Sequence, residues 1–286
     1  MKKASIIILS FFLLFAVSCS KEDNKNQPLN NFDIVKEDEM QVQEEDNSLS
    51  RVQNAGKLVL GLDDTFAPMG FVGDNGEIVG FDIDLAREVA KRMGVQLETK
   101  PIDWGSSTSI LTNGEIDVLW NGLNISDERK LYMNFSKPYL NNMLIIVKNN
   151  DDESINSIDD LAGKIVGVQY GGNYEQISNH PIVSQIKELR QYNGNIDALA
   201  DLQNDRLNAV IIDDVFAQYY IAQKNAPFTI VYSTPFTDGL YAVGIKKSDK
   251  KLLEEIDKIL DEIKSDGTAS EISQKWFNKD LIIKQP

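Results

Sequence analysis

Apolar residues recur along this chain in short runs, and the spacing within each run predicts its conformation. Ile6 to Val17 reads IIILSFFLLFAV, almost wholly apolar, with Lys2 and Lys3 before it and Ser18 and Cys19 after it. A basic start, an apolar stretch too short to span a bilayer comfortably and small residues behind it predict a secretory signal peptide over residues 1–18. A membrane-anchor helix is the alternative, disfavoured by length and by the abrupt polar turn at Ser20. From Ser20 to about Arg51 the periodicity disappears. KEDEMQVQEED is typical of this part, and such polar, acidic composition predicts a disordered tether.

After Val52 short apolar runs alternate with amphipathic stretches. KLVLGL (57–62) predicts a strand. DIDLAREVAKRM (82–93) predicts a helix with Ile83, Ala86, Ala90 and Met93 on one face, ended by Gly94. VQLETK (95–100) alternates like a strand, a short helix stops near Gly114, and IDVLW (116–120) is a further strand. In NGLNISDERKL, Ser126 is placed to cap a helix whose first turn holds Asp127 and Glu128, with Arg129 close behind at the positive helix end. The rhythm restarts with strands MLIIVK (143–148), KIVGVQ (164–169) and NAVIID (208–213). Helices are predicted from GGNYEQI, from NIDALADLQNDRL (195–207) and from VFAQYYIAQ. YAVGI (241–245) is a late strand, and a long final helix lines up Leu252, Ile256, Ile259 and Ile263. This β-α-β-α order predicts mostly parallel, covered sheets in two similar α/β halves.

Composition narrows the function. The 286 residues are 42% hydrophobic, enough for a sizeable core in two lobes of ordinary size. A formal net charge of −15 argues against a nucleic-acid partner and against electrostatic binding to anionic lipid. One cysteine (Cys19) and one histidine (His180) allow no intrachain disulfide and argue against Cys/His zinc sites and a Cys-His nucleophile pair. No metal and no cofactor is expected. His180, before Pro181 in a polar stretch, is expected at the surface.

Ligands of open α/β sheets lie beyond the carboxyl ends of the strands. DDTF, NGLNISDER, YGGNY and the Asp213–Asp214 pair all fall at such ends and would converge if the halves face each other. On the residues alone, Arg129 is either a solvated cation balanced by Asp127 and Glu128 or a planar fork for an external carboxylate. The Gly171–Gly172 turn is either a tight connection or an anion site of backbone N–H groups. Phe66 and Trp104 read as core or cleft, and Asp63 as a turn residue or a pocket acid.

Five segments in order resemble one family: GFDIDLAREVAKRMG, NGEIDVLWNGLNISDERKLYMNFSKPY, DLAGKIVGVQYGG, NAVIIDDVFAQYY and DGTASEISQKWF. Over about residues 51–277 the chain resembles the extracellular solute-binding proteins, family 3, of polar amino-acid ABC transporters. The resemblance implies an α/β, two-lobed clamshell of the type II periplasmic-binding-protein kind, each lobe a mixed, mostly parallel sheet flanked by helices. Lobe one would hold 52–138 and 246–286 and lobe two 144–240, with crossings near Tyr139–Met143 and Tyr241–Ile245. AVSC (16–19) resembles a bacterial lipobox, with Ala16 where the pattern usually has Leu; Cys19 would carry lipid, and 19–51 would tether the body to the cell membrane.

The resemblance also implies a site. Arg129 would grip the α-carboxylate of a free amino acid and Asp213 its α-ammonium, with Asp214 a first-turn helix charge. Gly171, Gly172 and Asn173 would add backbone N–H groups, although Gly172 and Asn173 stand where the family usually has Ser or Thr. Asn121, Gly122 and Asn124 would supply carbonyls and polar side chains, and Phe66 and Trp104 would sandwich the ligand side chain. Asp63 would face its distal end, favouring a cationic or amide-bearing side chain, cystine included. The expected protein is a monomeric, extracytoplasmic amino-acid receptor feeding an ABC permease, not an enzyme. A cyclohexadienyl dehydratase-like lyase, with Asp63 or Asp64 as acid, and an amino-acid sensor are the alternatives.

Overall fold

The computed structural model describes residues 45–232 and 235–284. The predicted signal peptide and Cys19 lie outside the described residues. In the first lobe, α1 (Ser48–Ala55) leads into β1 (Lys57–Leu62), whose alternating Leu58, Leu60 and Leu62 have no exposed surface. A small antiparallel sheet follows: β2 (Thr65–Phe66), β3 (Gly70–Val72) and β4 (Ile78–Val79). Helix α2 (Phe81–Met93) buries Ile83, Ala86, Ala90 and Met93. Asp82 and Asp84 in its first turn and Lys91 and Arg92 in its last complement the helix dipole. Next come β5 (Gln96–Pro101), α3 (Ser107–Thr112), β6 (Val118–Leu119) and β7 (Met133–Phe135).

The chain then crosses into a second sheet along β8 (Leu140–Asn149). That lobe continues with β9 (Ile165–Gln169), α4 (Asn173–Ile177), β10 (Glu188–Tyr192) and α5 (Asn195–Gln203). After these come β11 (Ala209–Asp213), α6 (Asp214–Lys224), β12 (Phe228–Val231) and β13 (Thr237–Tyr241). Every residue of β11 is buried, as expected for a central strand covered on both faces. The chain returns in β14 (Gly244–Lys246), which inserts between β6 and β7 of the first sheet. Helices α7 (Lys250–Ser265) and α8 (Thr268–Phe277) then pack on α2. The sheet orders are β5-β1-β6-β14-β7 and β10-β9-β11-β8-β12, with β13 also on β8. At the two crossings the Tyr139 N–H donates to the Tyr241 carbonyl at 3.0 Å, tying them together.

The structure corrects the sequence reading at several points. The body begins before residue 52: Ser48 and Val52 are buried in α1, and Arg51 pairs with Asp117 and Asp249 at 2.5 and 2.7 Å. The short, mostly polar sequence SLSRVQNA hid a helix that buried Ser48 and Val52 and one ion-pair fork hold. SDER does not start an α-helix; only a 3-10 turn, Arg129–Leu131, forms before β7. YAVGI is not one strand, because the chain changes sheets within it: β13 ends at Tyr241 and β14 starts at Gly244. Parallel pairs do not dominate. β1 pairs parallel with β5 and β6, and β9 with β10 and β11, but every pair made by β8 or β14 is antiparallel. His180 is half-buried: its Nδ1 accepts from the Ile182 N–H at 3.3 Å, and its ring lies edge-on to Phe236 at 5.2 Å.

Candidate functional site

The strand-end segments meet between the sheets. Asp63, Phe66, Trp104, Asn121, Gly122, Asn124 and Arg129 come from the first lobe, and Gly172, Asn173 and Asp213 from the second. They surround a gap of about 270 Å³. Gln169 and Gln176 line the same gap and were not anticipated.

Arg129 is 5% exposed, so it is not a solvated surface cation. The Ser126 hydroxyl accepts from its backbone N–H at 3.2 Å, as a cap would, but for the single 3-10 turn. That turn sends the guanidinium inward. Nη1 donates to the Asn124 carbonyl and Nη2 to the Gly171 carbonyl, each at 3.0 Å, and Glu175 Oε2 lies 3.8 Å from Nη2. Burial pulls the guanidinium pKa down, while the charges of Glu175 and Asp213 act the other way. It stays protonated, since a guanidinium keeps its charge across the physiological pH range. The Gly171 carbonyl reaches it because the lobes touch there. A Cβ on Gly171 would lie 2.5 Å from Gly105 Cα, and φ is +70°. Only glycine fits both constraints.

Asp213 closes the opposite side. It ends β11, is 2% exposed and accepts from four donors. Tyr241 Oη (2.8 Å), Asn142 Nδ2 (2.5 Å) and Asn124 Nδ2 (3.1 Å) donate to Oδ1, and Asn173 Nδ2 (2.9 Å) donates to Oδ2. Burial pushes its pKa up and these donors pull it down. The side chain of Asn173, where only backbone contacts were expected, therefore reaches Asp213. Asn142 and Tyr241 escaped the sequence reading because they sit on the crossing strands, which pattern alone reads as connections. Asp214 begins α6 and accepts from Gln218 Nε2 at 3.1 Å, as a first-turn helix charge does.

Asp63 is both a turn residue and a pocket acid. Its Oδ1 accepts from the Thr65 N–H and hydroxyl at 2.9 and 2.6 Å, and its Oδ2 from Gln169 Nε2 of the other lobe at 3.0 Å. Burial pushes its pKa up against these hydrogen bonds. Asn121 Oδ1 accepts from the Asp63 N–H at 3.1 Å, while Asn121 Nδ2 and Gln176 Nε2 are buried donors with no partner among the described residues. The Phe66 ring stacks on Phe216 across the lobes, 5.2 Å between centroids. Trp104 is 6% exposed and borders Gly172, where a Cβ would stand 3.2 Å from its Nε1. The result is a cation at one end, two carboxylates and an aromatic wall: a set that fits a zwitterion with a polar side chain. Among the described residues, no group of three or more His, Cys, Asp or Glu is placed to hold a metal ion.

The model of the bacterial extracellular solute-binding proteins, family 3, matches residues 58–279. The L-cystine-binding protein TcyJ of Escherichia coli K12 is 32% identical over 234 residues, 82% of this chain and 87% of its own length. The arginine-binding extracellular protein ArtP of Bacillus subtilis is 30% identical over 225 residues, 77% and 86% of the two chains. A solved ABC uptake transporter substrate-binding protein of Streptococcus pneumoniae, with bound histidine, superposes with a TM-score of 0.79 at 35% identity. That match covers 84% of this chain and 99% of the other.

Proposed function

Because this chain belongs to the bacterial extracellular solute-binding proteins of family 3, we propose that it captures a free L-amino acid between its lobes and delivers it to an ABC importer. The observation that carries this reading is the pairing of buried Arg129 in one lobe with buried Asp213 in the other. Among the protein-only bonds that cross the gap, two lie at these charges: Arg129 to the Gly171 carbonyl and Asn124 to Asp213. The ligand's carboxylate takes the place of the Gly171 carbonyl on the Arg129 fork. Its ammonium displaces one donor from Asp213, whose roughly four lone-pair positions are occupied. The ligand thus reproduces both links between the lobes, so it favours the closed arrangement.

Phe66 and Trp104 flank the ligand side chain, and Asp63 with Gln169 meets its far end. An acidic side chain there would bury two carboxylates together, so cationic or amide-bearing side chains and cystine are favoured. Lobe one comprises 52–138 and 246–286 and lobe two 144–240, with α1 an added support of lobe one. Residues 1–18 are a signal peptide, Cys19 carries lipid, and the tether holds a monomeric receptor at the outer face of the cell membrane.

A thermal-shift screen of the body against the common amino acids and cystine tests this reading. A bound amino acid at 100-fold its Kd adds about 2.7 kcal/mol of stability. No shift with any of them would refute it, and turnover of prephenate or arogenate would turn it into a lyase.

A further inference from the structure

Asp82 lies outside the gap, and none of the contacts above uses it. It stands in the first turn of α2 with no exposed surface. A carboxylate taken wholly out of water persists only where polar partners offset its lost hydration. Its Oδ2 accepts from the Gly122 N–H at 2.6 Å. Gly122 sits at φ +59°, with the Phe66 and Tyr241 rings so near that a Cβ would come within 2.6 and 3.2 Å of them. The backbone there is pressed between the ligand-side aromatics in front and Asp82 behind.

The segment anchored this way carries three contacts of the site. Asn121 Oδ1 takes the Asp63 N–H, the Asn124 carbonyl takes Arg129 Nη1, and Asn124 Nδ2 reaches Asp213. Trp120 and Tyr139 pack on each other, 6.0 Å between ring centroids, beside Asp82. Among the described residues, Asp82 Oδ1, Trp120 Nε1 and the Tyr139 hydroxyl all lack a hydrogen bond of ordinary geometry. The Gly122 bond is therefore the one well-formed side-chain tie of this acid among the described residues.

We propose that Asp82 is a positioning residue of the amino-acid site: its carboxylate fixes the Asn121–Asn124 backbone through Gly122 and so aligns Asn121, Asn124 and Arg129 without touching the ligand. The proposal rests on the amino-acid-binding reading. Removing the acceptor leaves a buried N–H unpaired, whereas an amide in its place restores one.

The test compares wild type, Asp82→Ala and Asp82→Asn. Calorimetry reads binding of L-arginine, L-cystine and L-histidine, hydrogen exchange reads the 120–125 segment, and far-UV circular dichroism checks the fold. Expected is a loss of affinity of about tenfold or more in Asp82→Ala, with faster exchange at 120–125 and a folded body. Asp82→Asn stays within about threefold of wild type, with its exchange protected. Wild-type affinity in folded Asp82→Ala overturns the proposal, as does unchanged exchange at 120–125. If Asp82→Ala does not fold, Asp82→Asn decides: tenfold weaker binding at intact fold overturns it. If wild type binds none of the three amino acids nor any other in the thermal-shift screen, the binding reading fails. Exchange alone then decides whether Asp82 holds the segment.

Discussion

At the residue scale, function turns on whether a charge has its partner inside the protein or outside it. Arg129 has two carbonyls and a half-buried carboxylate 3.8 Å away, a weak set for a buried guanidinium. Arg129→Ala should abolish measurable amino-acid binding while the fold stays intact; unchanged affinity by calorimetry would remove the carboxylate-gripping role. Lys at 129 should also fail, because a point charge does not make two parallel bonds to a carboxylate. Asp82 gives a pH signature. Burial raises its pKa from 3.8 to about 7, with the Gly122 N–H and the neighbouring Tyr139 and Trp120 polar groups opposing the shift. The folded state therefore binds a proton that the unfolded chain releases near pH 4. Its stabilising effect is full below pH 4 and is lost as pH rises toward 7. At about 1.36 kcal/mol per pH unit, the change is on the order of 4 kcal/mol. Urea titrations from pH 4 to 8 should show that slope in wild type and a flatter one in Asp82→Asn; parallel profiles would contradict the assignment.

At the element scale, the short helix α1 is held by a few named side chains. Helix α1 buries Ser48 and Val52, the Ser48 hydroxyl accepts from the Leu252 N–H of α7, and Arg51 forks between Asp117 and Asp249. Both acids are mostly buried, so removing the arginine takes from each its cationic partner and leaves Asp117 with the Val59 N–H and Asp249 with the Ser248 hydroxyl. Arg51→Ala should cost about 1–3 kcal/mol and lower Tm by several degrees, read by thermal melting; an unchanged Tm would show that α1 is held by packing alone. Periodicity made β1, α2, β8, β11 and α7 legible, since each presents one clear apolar face or a fully apolar run. It could not show that Ser126 caps only a 3-10 turn, because cap chemistry is the same for both helices. Nor could it show that Asn142 and Tyr241 meet at Asp213, a contact 71 and 28 residues apart along the chain. Nor could it show that Asp82, at the start of α2, is wholly buried against the Gly122 N–H, 40 residues along the chain.

At the scale of the whole molecule, affinity is the difference between what holds the lobes together with an amino acid and what holds them without one. Protein-only contacts that cross the gap besides Arg129 to Gly171 include Phe66 on Phe216, Asn124 to Asp213 and Gln169 to Asp63. They differ in what they can select. The Phe66–Phe216 stack stabilises closure whatever lies in the gap, so Phe216→Ala should weaken every amino acid alike. An aromatic pair is worth about 0.5–1.5 kcal/mol beyond its buried area, a loss of roughly three- to tenfold in affinity. Asp63 faces only the far end of the ligand side chain, so Asp63→Asn should change the ranking of arginine, histidine and cystine. An uncharged or apolar amino acid should lose less. Calorimetry across that panel separates the two effects. A selective loss in Phe216→Ala, or a uniform one in Asp63→Asn, would mean that the same contacts serve closure and recognition together. In that case the lobes could not be treated as a hinge with a separate reading head.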